Sequence, residues 1–468
     1  MAPMDARLRV LVTAFGTVPG PNSHSSALMG MAAALRGDLD LVTRKTPTLS
    51  HQGRLGEARL FRVRCEGLPA EQRAAFGRAV KRQLEAEPYD VVHVRGPWEG
   101  EYVAPLHRAM GFRFVYEVAT FPDEAEGPDA EQIWADAHLR CLEEADLILV
   151  GAEAAARSLA EQGFAGKVAV VPPGVDVDAY DWWPSPFGDP VRLIYLGAFT
   201  ADREIPTLLS ALRAASKRIP LRALVAGDPH PERRENVQRM IDAFELGELV
   251  SVRGEPRAVA LPALIAASDL AVVSASATPR FREFGDLPEP LLEYLACRRP
   301  VVAAGVPAVS EVIRDEHEGL VYPPGDETTL ADAIVLLATD AARREELVDR
   351  AYDRVRARFS GAARRRRIAE VYEMLSPGSQ SWDSWTEAFD ETVEWAPISS
   401  MVDADDVATS ENPLPEEPTP AMPRSEDTLV GDFPAFRNVD TSPELEVMDH
   451  SDTIAPGPDV VVGPSRDE

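Results

Sequence analysis

A chain of 468 residues, 45 % of them hydrophobic, is long enough for two ordinary domains with separate cores. Its net charge of −29 at pH 7 is unevenly spread: from Ser376 onward there are 22 acidic residues against three basic ones, so the remainder is only mildly acidic. That leaves no basic face for nucleic acid, and Cys65, Cys141 and Cys297 are too scattered for a zinc or disulfide framework.

Few, unclustered cysteines suit a reducing compartment, so a cytoplasmic protein is expected. The run R-L-R-V-L-V-T-A-F near the N-terminus is shorter than a signal-peptide core and reads as a first strand. No apolar run approaches the roughly 18 residues of a membrane span.

Short β-rich runs then alternate with amphipathic segments. Strands are predicted over Arg9–Phe15, Leu39–Arg44, Leu60–Cys65, Asp90–Arg95, Arg113–Ala119, Asp146–Gly151 and Lys167–Val171. Helical patterns lie between most of them, among them Ser25–Arg36, Ala70–Ala86 and Ala130–Glu144. D-V-V-H-V and D-L-I-L-V are continuous apolar runs, as strands buried on both faces of a parallel sheet require. This pattern predicts one doubly wound α/β domain.

Prolines and turn residues over Tyr180–Pro190 mark a linker, after which a second alternation begins. Its strands are V-R-L-I-Y-L-G, L-R-A-L-V-A-G, L-V-S-V-R-G, L-A-V-V-S-A-S, P-V-V-A-A-G and G-L-V-Y-P-P, with helices over Pro206–Lys217, Arg234–Phe244 and Leu261–Ala267. One long helical stretch, Ala341–Leu375, is expected to close the body. Beyond it, 377–468 is rich in Pro, Asp, Glu and Ser and is expected to be disordered, because such a composition buries too little apolar surface to offset the entropy of ordering.

Open α/β sheets bind ligands beyond the carboxyl ends of their strands, which selects three loops. The first, Gly16–Ser26, runs glycines and an Asn-Ser pair into a helix; it is equally a turn with an N-cap or a binding loop, and no G-x-G-x-x-G fingerprint occurs in the chain. The second follows Gly197 and brings Arg203 next to free backbone amides, a combination suited to a diphosphate or to a plain surface charge. The third, E-F-G-D-L-P-E-P-L-L-E-Y, carries Glu283, Glu289 and Glu293, with Pro288-Glu289-Pro290 opening a helix. Glu293 lies one helical step beyond Glu289, placed either to accept the hydroxyls of a ribose or simply to favour the helix start.

These segments in series resemble the group 1 (family 4) retaining glycosyltransferases of the GT-B fold, over roughly residues 8–375. V-V-P-P-G-V-D-V-D-A-Y resembles the family's strand-to-linker signature, L-G-A-F-T-A-D-R-E its donor-phosphate loop, and V-A-G-D-P-H and V-R-G-E-P the two loops that follow. L-P-E-P-L-L-E-Y-L-A-C-R-R-P-V-V-A-A and E-G-L-V-Y-P-P-G-D complete the order. The resemblance implies two doubly wound Rossmann-like domains facing a central cleft: an acceptor domain over 1–183, a donor domain over 187–359, and a closing helix at about 360–376 that crosses back onto the first.

It further implies transfer of a sugar from a nucleotide diphosphate-sugar to a saccharide or lipid-linked acceptor, in polysaccharide or glycoconjugate synthesis, with no metal and no cofactor beyond that co-substrate. Asp176 and Asp178 then belong to the linker motif. Donor contacts fall on Gly197, Ala198, Arg203, Gly254, Arg282, Leu287 and Glu293, and catalytic roles on Glu283 and His24. Glu293 matches the ribose-binding second glutamate of the family's E-x7-E pair. The position eight residues earlier is Gly285, so Glu283 stands as a displaced partner, and Ala198 replaces a usual arginine.

Ala119 stands where the family often has histidine, leaving His24, His93 and Arg95 as polar strand-end residues of the first half. These departures keep two other readings open: a GT-B scaffold or regulator without catalysis, and a GT-B sugar-nucleotide epimerase. A-R-R-R-R-I (Ala363–Ile368) would suit either peripheral contact with the inner membrane face or a solvated helix face, and the acidic tail is a place for an unidentified protein partner.

Overall fold

The structure is a computed structural model that describes residues 8–18, 23–35, 38–121, 129–180, 187–257 and 260–375. The segment 377–468, expected to be disordered, lies outside the described residues.

The first sheet contains β1 (Arg9–Thr17), β2 (Asp38–Arg44), β3 (Gln52–Leu55), β4 (Ala58–Val63), β5 (Val91–Val94), β6 (Arg113–Glu117), β7 (Leu147–Val150) and β8 (Val168–Val170). Their order is β3-β4-β2-β1-β5-β6-β7-β8, parallel throughout except for the β3–β4 hairpin. The central strand is set by Val10 against both Leu39 and Val91. Leu11, Val12, Val91 and Val92 are fully buried, which is why these runs show no polar alternation.

The second sheet contains β9 (Val191–Leu196), β10 (Leu221–Ala226), β11 (Val250–Arg253), β12 (Leu270–Val273), β13 (Val301–Ala304) and β14 (Leu320–Tyr322). Its order is β11-β10-β9-β12-β13-β14, and every pair is parallel. Each sheet changes its direction of winding at its first strand, between β1 and β5 and between β9 and β12. A crevice opens at such switch points because the flanking helices leave on opposite faces.

The long helix expected over Ala341–Leu375 is in fact two, Ala341–Arg358 and Gly361–Met374. Ser360 causes the break: its backbone is extended and its hydroxyl accepts the Ala363 N–H, so it caps a new helix rather than continuing the old one. The break meets the linker, where Val175 N–H donates to Phe359 O at 2.9 Å and Gly361 N–H to Val175 O at 2.7 Å. From there the last helix crosses to the first sheet, burying Ile368, Val371, Tyr372 and Leu375 in one core with Val10, Val12, Leu41 and Val171. At roughly 1.5–3 kcal/mol for each large apolar side chain fully buried, this packing holds the chain's second crossing in place.

Candidate active site

In the second sheet the switch point is built by the loops after β9 and β12. Gly197, which ends β9, lies so close to Gly227 after β10 that a Cβ on Gly227 would sit 2.6 Å from Gly197 N. Only glycine fits there, and its φ of +123° disfavours any side chain besides. Fully buried Asp228 then ties the two loops, accepting Phe199 N–H at 2.7 Å and His230 N–H at 2.8 Å. The turn Ala201–Arg203 is joined to the β12 loop by Ser276, whose N–H and Oγ both donate to Asp202 O. Tyr294, next to Glu293, accepts the Leu196 N–H at 2.7 Å and so fixes the end of β9.

Arg203 lies between these loops. Its guanidinium stacks over Phe281 at 4.8 Å and stands 3.9 Å from Asp286, which also accepts Arg280 Nε at 2.6 Å. Three buried polar atoms without a hydrogen-bond partner among the described residues gather here: Asp202 Oδ2, Arg203 Nε and Thr278 Oγ1. Native proteins rarely leave such atoms unmatched, so their gathering at a switch point marks a place for a polar ligand.

The three glutamates of the β12 loop have separate fates. Glu283 is exposed at the end of the short helix Pro279–Arg282, as is Arg282. Glu289 stands at the start of the helix Pro290–Ala296 without a side-chain capping bond and acts electrostatically on Arg364 of the closing helix. Glu293 is partly buried; burial pushes its carboxyl up to about 7, against a hydrogen bond from the Tyr180 hydroxyl that holds it down. Leu287 is buried, and Gly254 at the end of β11 lies against Arg234, where a Cβ would meet Nη1 at 3.2 Å. Ala198 is half-buried, its carbonyl accepting the Tyr195 hydroxyl at 3.1 Å.

In the first domain His24 falls in the helix Ser23–Ala34, but its side chain lies outside the described residues. His93 and Arg95 are drawn into a buried cluster around Glu117. That carboxylate accepts Arg95 Nε at 2.7 Å and Arg364 Nη2 at 2.9 Å, with His93 Nε2 at 3.2 Å. Burial alone would raise the Glu117 pKa; Arg95, the adjacent His93 and Arg364 outweigh it and hold the group well below the ordinary carboxylate range. Tyr372 bonds His93 Nδ1 at 2.7 Å, so this cluster also fastens the closing helix.

Sequence reasoning missed Glu99. It is buried at 1 % exposure beside the β1–β5 switch point, and burial raises its pKa to about 8 against the backbone amides nearby, which favour the ion. Glu99 Oε2 and Thr120 Oγ1 are both buried without a partner among the described residues, and a Cβ on Gly96 would meet them at 3.5 and 3.0 Å. The switch point of the first sheet therefore carries unmatched polar groups too.

The two domains touch where the β12 loop meets the first domain. Phe284 stands 5.6 Å from Trp134, 5.6 Å from His138 and 6.1 Å from Phe121, ring to ring. Gly285 packs against Ala152 and Ala155, where a Cβ would be 3.1 Å from each. Glu311 caps the helix Glu153–Glu161 across the gap, accepting Glu153 N–H at 2.9 Å and Ala154 N–H at 2.8 Å.

Two parallel Rossmann-like sheets, joined by two chain crossings and each carrying unmatched polar groups at its switch point, define a GT-B-type transferase. Residues 20–174 match the family described as Glycosyl transferase 4-like domain, and residues 190–340 the family described as Glycosyl transferases group 1. The chain belongs to the group 1 (family 4) glycosyltransferases and is a glycosyltransferase enzyme.

Among curated relatives it is 27 % identical to the alpha-D-kanosaminyltransferase of Streptomyces kanamyceticus over 184 residues, 39 % of this chain and 45 % of that protein. It is 28 % identical to the D-inositol 3-phosphate glycosyltransferase of Stackebrandtia nassauensis over 322 residues, 62 % of this chain and 70 % of that one. The chain thus spans less than half of the first of these relatives. Among solved structures, sucrose-phosphate synthase from Thermosynechococcus elongatus aligns with a TM-score of 0.67 at 22 % identity, covering 79 % of this chain and 99 % of that one. The Anabaena protein HepE in complex with UDP and glucose aligns at 0.64 and 18 % identity, covering 78 % and 99 %. No helix among the described residues is long and apolar enough to cross a membrane.

Proposed function

We propose that the enzyme transfers a sugar from a nucleoside diphosphate-sugar, with retention and without a metal, to a saccharide or lipid-linked acceptor. The observation that carries this is that Asp202 Oδ2, Arg203 Nε and Thr278 Oγ1, in the β9 and β12 loops, are buried polar atoms without a partner among the described residues. A diphosphate supplies acceptors for Arg203 Nε and the Thr278 hydroxyl, and a ribose supplies donors for carboxylates, so one nucleotide satisfies opposite needs at neighbouring places. HepE was solved with UDP, which fits the same ligand class.

Retention brings the acceptor hydroxyl to the face from which the diphosphate departs. A departing phosphate oxygen can then take the hydroxyl proton, and the chain's part is to hold the diphosphate charge and position both substrates. Glu283 and His24 remain the proposed catalytic residues; Gly197, Ala198, Gly254, Arg282 and Leu287 line the proposed donor side. Peripheral contact with a membrane stays part of this reading only through Arg365 and Arg366, the exposed members of the run, because Arg364 is taken up by Glu117; cytoplasmic location also stays part of it.

Calorimetry against UDP, GDP, ADP, CDP and dTDP tests it. One nucleotide should bind, Glu293→Gln should weaken it about 10-fold or more, and binding should fade as pH drops through about 7, where Glu293 takes up a proton. No uptake of any of the five would refute the proposal. A scaffold reading has one specific observation in its favour, the pairing of Arg203 with Asp286 instead of an open approach to ligand. It predicts binding without turnover of any donor.

A further inference from the structure

The loop after β12 closes on itself through its backbone. Glu283 N–H donates to Pro279 O at 2.8 Å, Phe284 N–H to the same oxygen at 3.1 Å, and Asp286 N–H to Arg280 O at 3.1 Å. Its shape therefore does not depend on an ion pair between side chains. One is present all the same: Asp286 Oδ2 accepts Arg280 Nε at 2.6 Å and stands 3.9 Å from Arg203 Nη2, which arrives from the β9 loop. Both guanidiniums also lie against the fully buried ring of Phe281, at 4.8 Å for Arg203 and 5.8 Å for Arg280. Two cations from different loops thus converge on one carboxylate oxygen. The match is incomplete, because a separation of 3.9 Å is beyond hydrogen-bond reach. Arg203 Nε is buried without a hydrogen-bond partner among the described residues, and so is Thr278 Oγ1, two residues before Arg280.

We infer that Arg280 is a second cation for the proposed donor diphosphate, beside Arg203, and that Asp286 is a resident counter-anion which the diphosphate displaces. This rests on the proposed nucleotide-sugar reading. From Gly197 to Arg203 the β9 loop carries one basic residue, so a second cation has to come from elsewhere, and Arg280 is already turned to the same oxygen. Guanidinium forks favour the several oxygens of a diphosphate over a single carboxylate. Charge makes the displacement necessary. Asp202, next in the chain to Arg203, is a second acid here, so two cations face two acids before any donor arrives. A diphosphate added to that balance is repelled unless one acid withdraws. Asp286 is only partly buried, and its carboxylate can turn to water once Arg280 releases it. The contact between Arg203 and Asp286 is then the resting state of a working donor site.

Titration calorimetry of the full chain against UDP, GDP, ADP, CDP and dTDP identifies the nucleotide that binds. It is then repeated on Asp286→Asn, Arg280→Gln and Arg280→Lys at about 50 and about 500 mM salt, with thermal unfolding to establish that each is folded. Asp286→Asn removes the competing anion and should bind about three- to five-fold more tightly than wild type. Arg280→Gln should bind about ten-fold more weakly at low salt. It should also lose less affinity than wild type when salt is added, since one cation–phosphate contact is gone. Arg280→Lys keeps the charge and should keep the wild-type salt dependence.

Arg280 also stacks over Phe121 of the first domain at 4.8 Å, which by itself would make it a brace between the domains. A brace would weaken binding by the same factor at both salt concentrations, and that outcome overturns the second cation. Asp286→Asn that binds no more tightly than wild type overturns the displacement. Both leave wild-type binding intact and so spare the proposed function. Wild type that binds none of the five nucleotides overturns both together.

Discussion

Glu99→Gln tests whether the switch point of the first sheet is built around a neutral carboxylic acid. Glu99 is 1 % exposed and its pKa is raised to about 8 by burial, against the backbone amides of Phe15, Arg95 and its own residue, which favour the ion. The folded pKa lies above the unfolded value of 4.5, so the folded chain holds this proton more tightly. The contribution to stability is complete below about pH 4.5 and lost as pH rises towards about 8. At about 1.4 kcal/mol per pH unit, that window amounts to roughly 4–5 kcal/mol.

Glutamine keeps an oxygen for the backbone amides and cannot ionise. The difference in unfolding free energy between wild type and variant, from urea denaturation followed by circular dichroism at pH 5 to 9, should therefore move steadily in favour of the variant. It should level off above about pH 8. A difference that stays flat across that range refutes the argument and would mean that Glu99 is already ionised at pH 5.

Two further outcomes concern the framework. Gly227→Ala forces a Cβ against the Gly197 backbone at 2.6 Å and should cost about 2–4 kcal/mol and abolish nucleotide binding; thermal unfolding and calorimetry check both, and wild-type values would refute it. Glu117→Gln leaves Arg95 and Arg364 facing each other without a carboxylate, at a cost of about 3–5 kcal/mol. Limited proteolysis should then release the helix Gly361–Met374, whereas wild type keeps it docked until pH falls well below 4.5.

Much of the architecture could be read from the chain. The parallel strands announce themselves because burial on both faces removes polar alternation, and the observed elements Ala130–Glu144 and Leu261–Ala266 fall within a residue of expectation. The strand β3 was not legible: Q-G-R-L is polar, and it is strand only because β4 pairs with it. The break at Ser360 was hidden for a related reason, since A-R-F-S-G-A continues a helical pattern and only the contact with Val175 decides otherwise.

The site divides along the same line. Glu293 and Arg203 could be singled out because their positions relative to strand ends are local. Glu99 and Asp286 could not, because their settings come from residues remote in sequence: Thr120 for one, Arg203 for the other. G-P-W-E-G-E does hold a signal in hindsight, a carboxylate between two glycines at a switch point, but nothing in its spacing sets it apart from a surface acid.

The insertion of Phe284 among Trp134, His138 and Phe121 bears on how such enzymes can be recombined. The loop that sets Phe281 under Arg203 is the same stretch that grips the other domain, so neither half is an interchangeable cartridge. A chimera spliced at the linker would bring a foreign loop to this aromatic socket and lose its grip unless both travelled together. A change at position 284 would therefore have to be matched by changes at 121, 134 or 138 for the socket to stay filled.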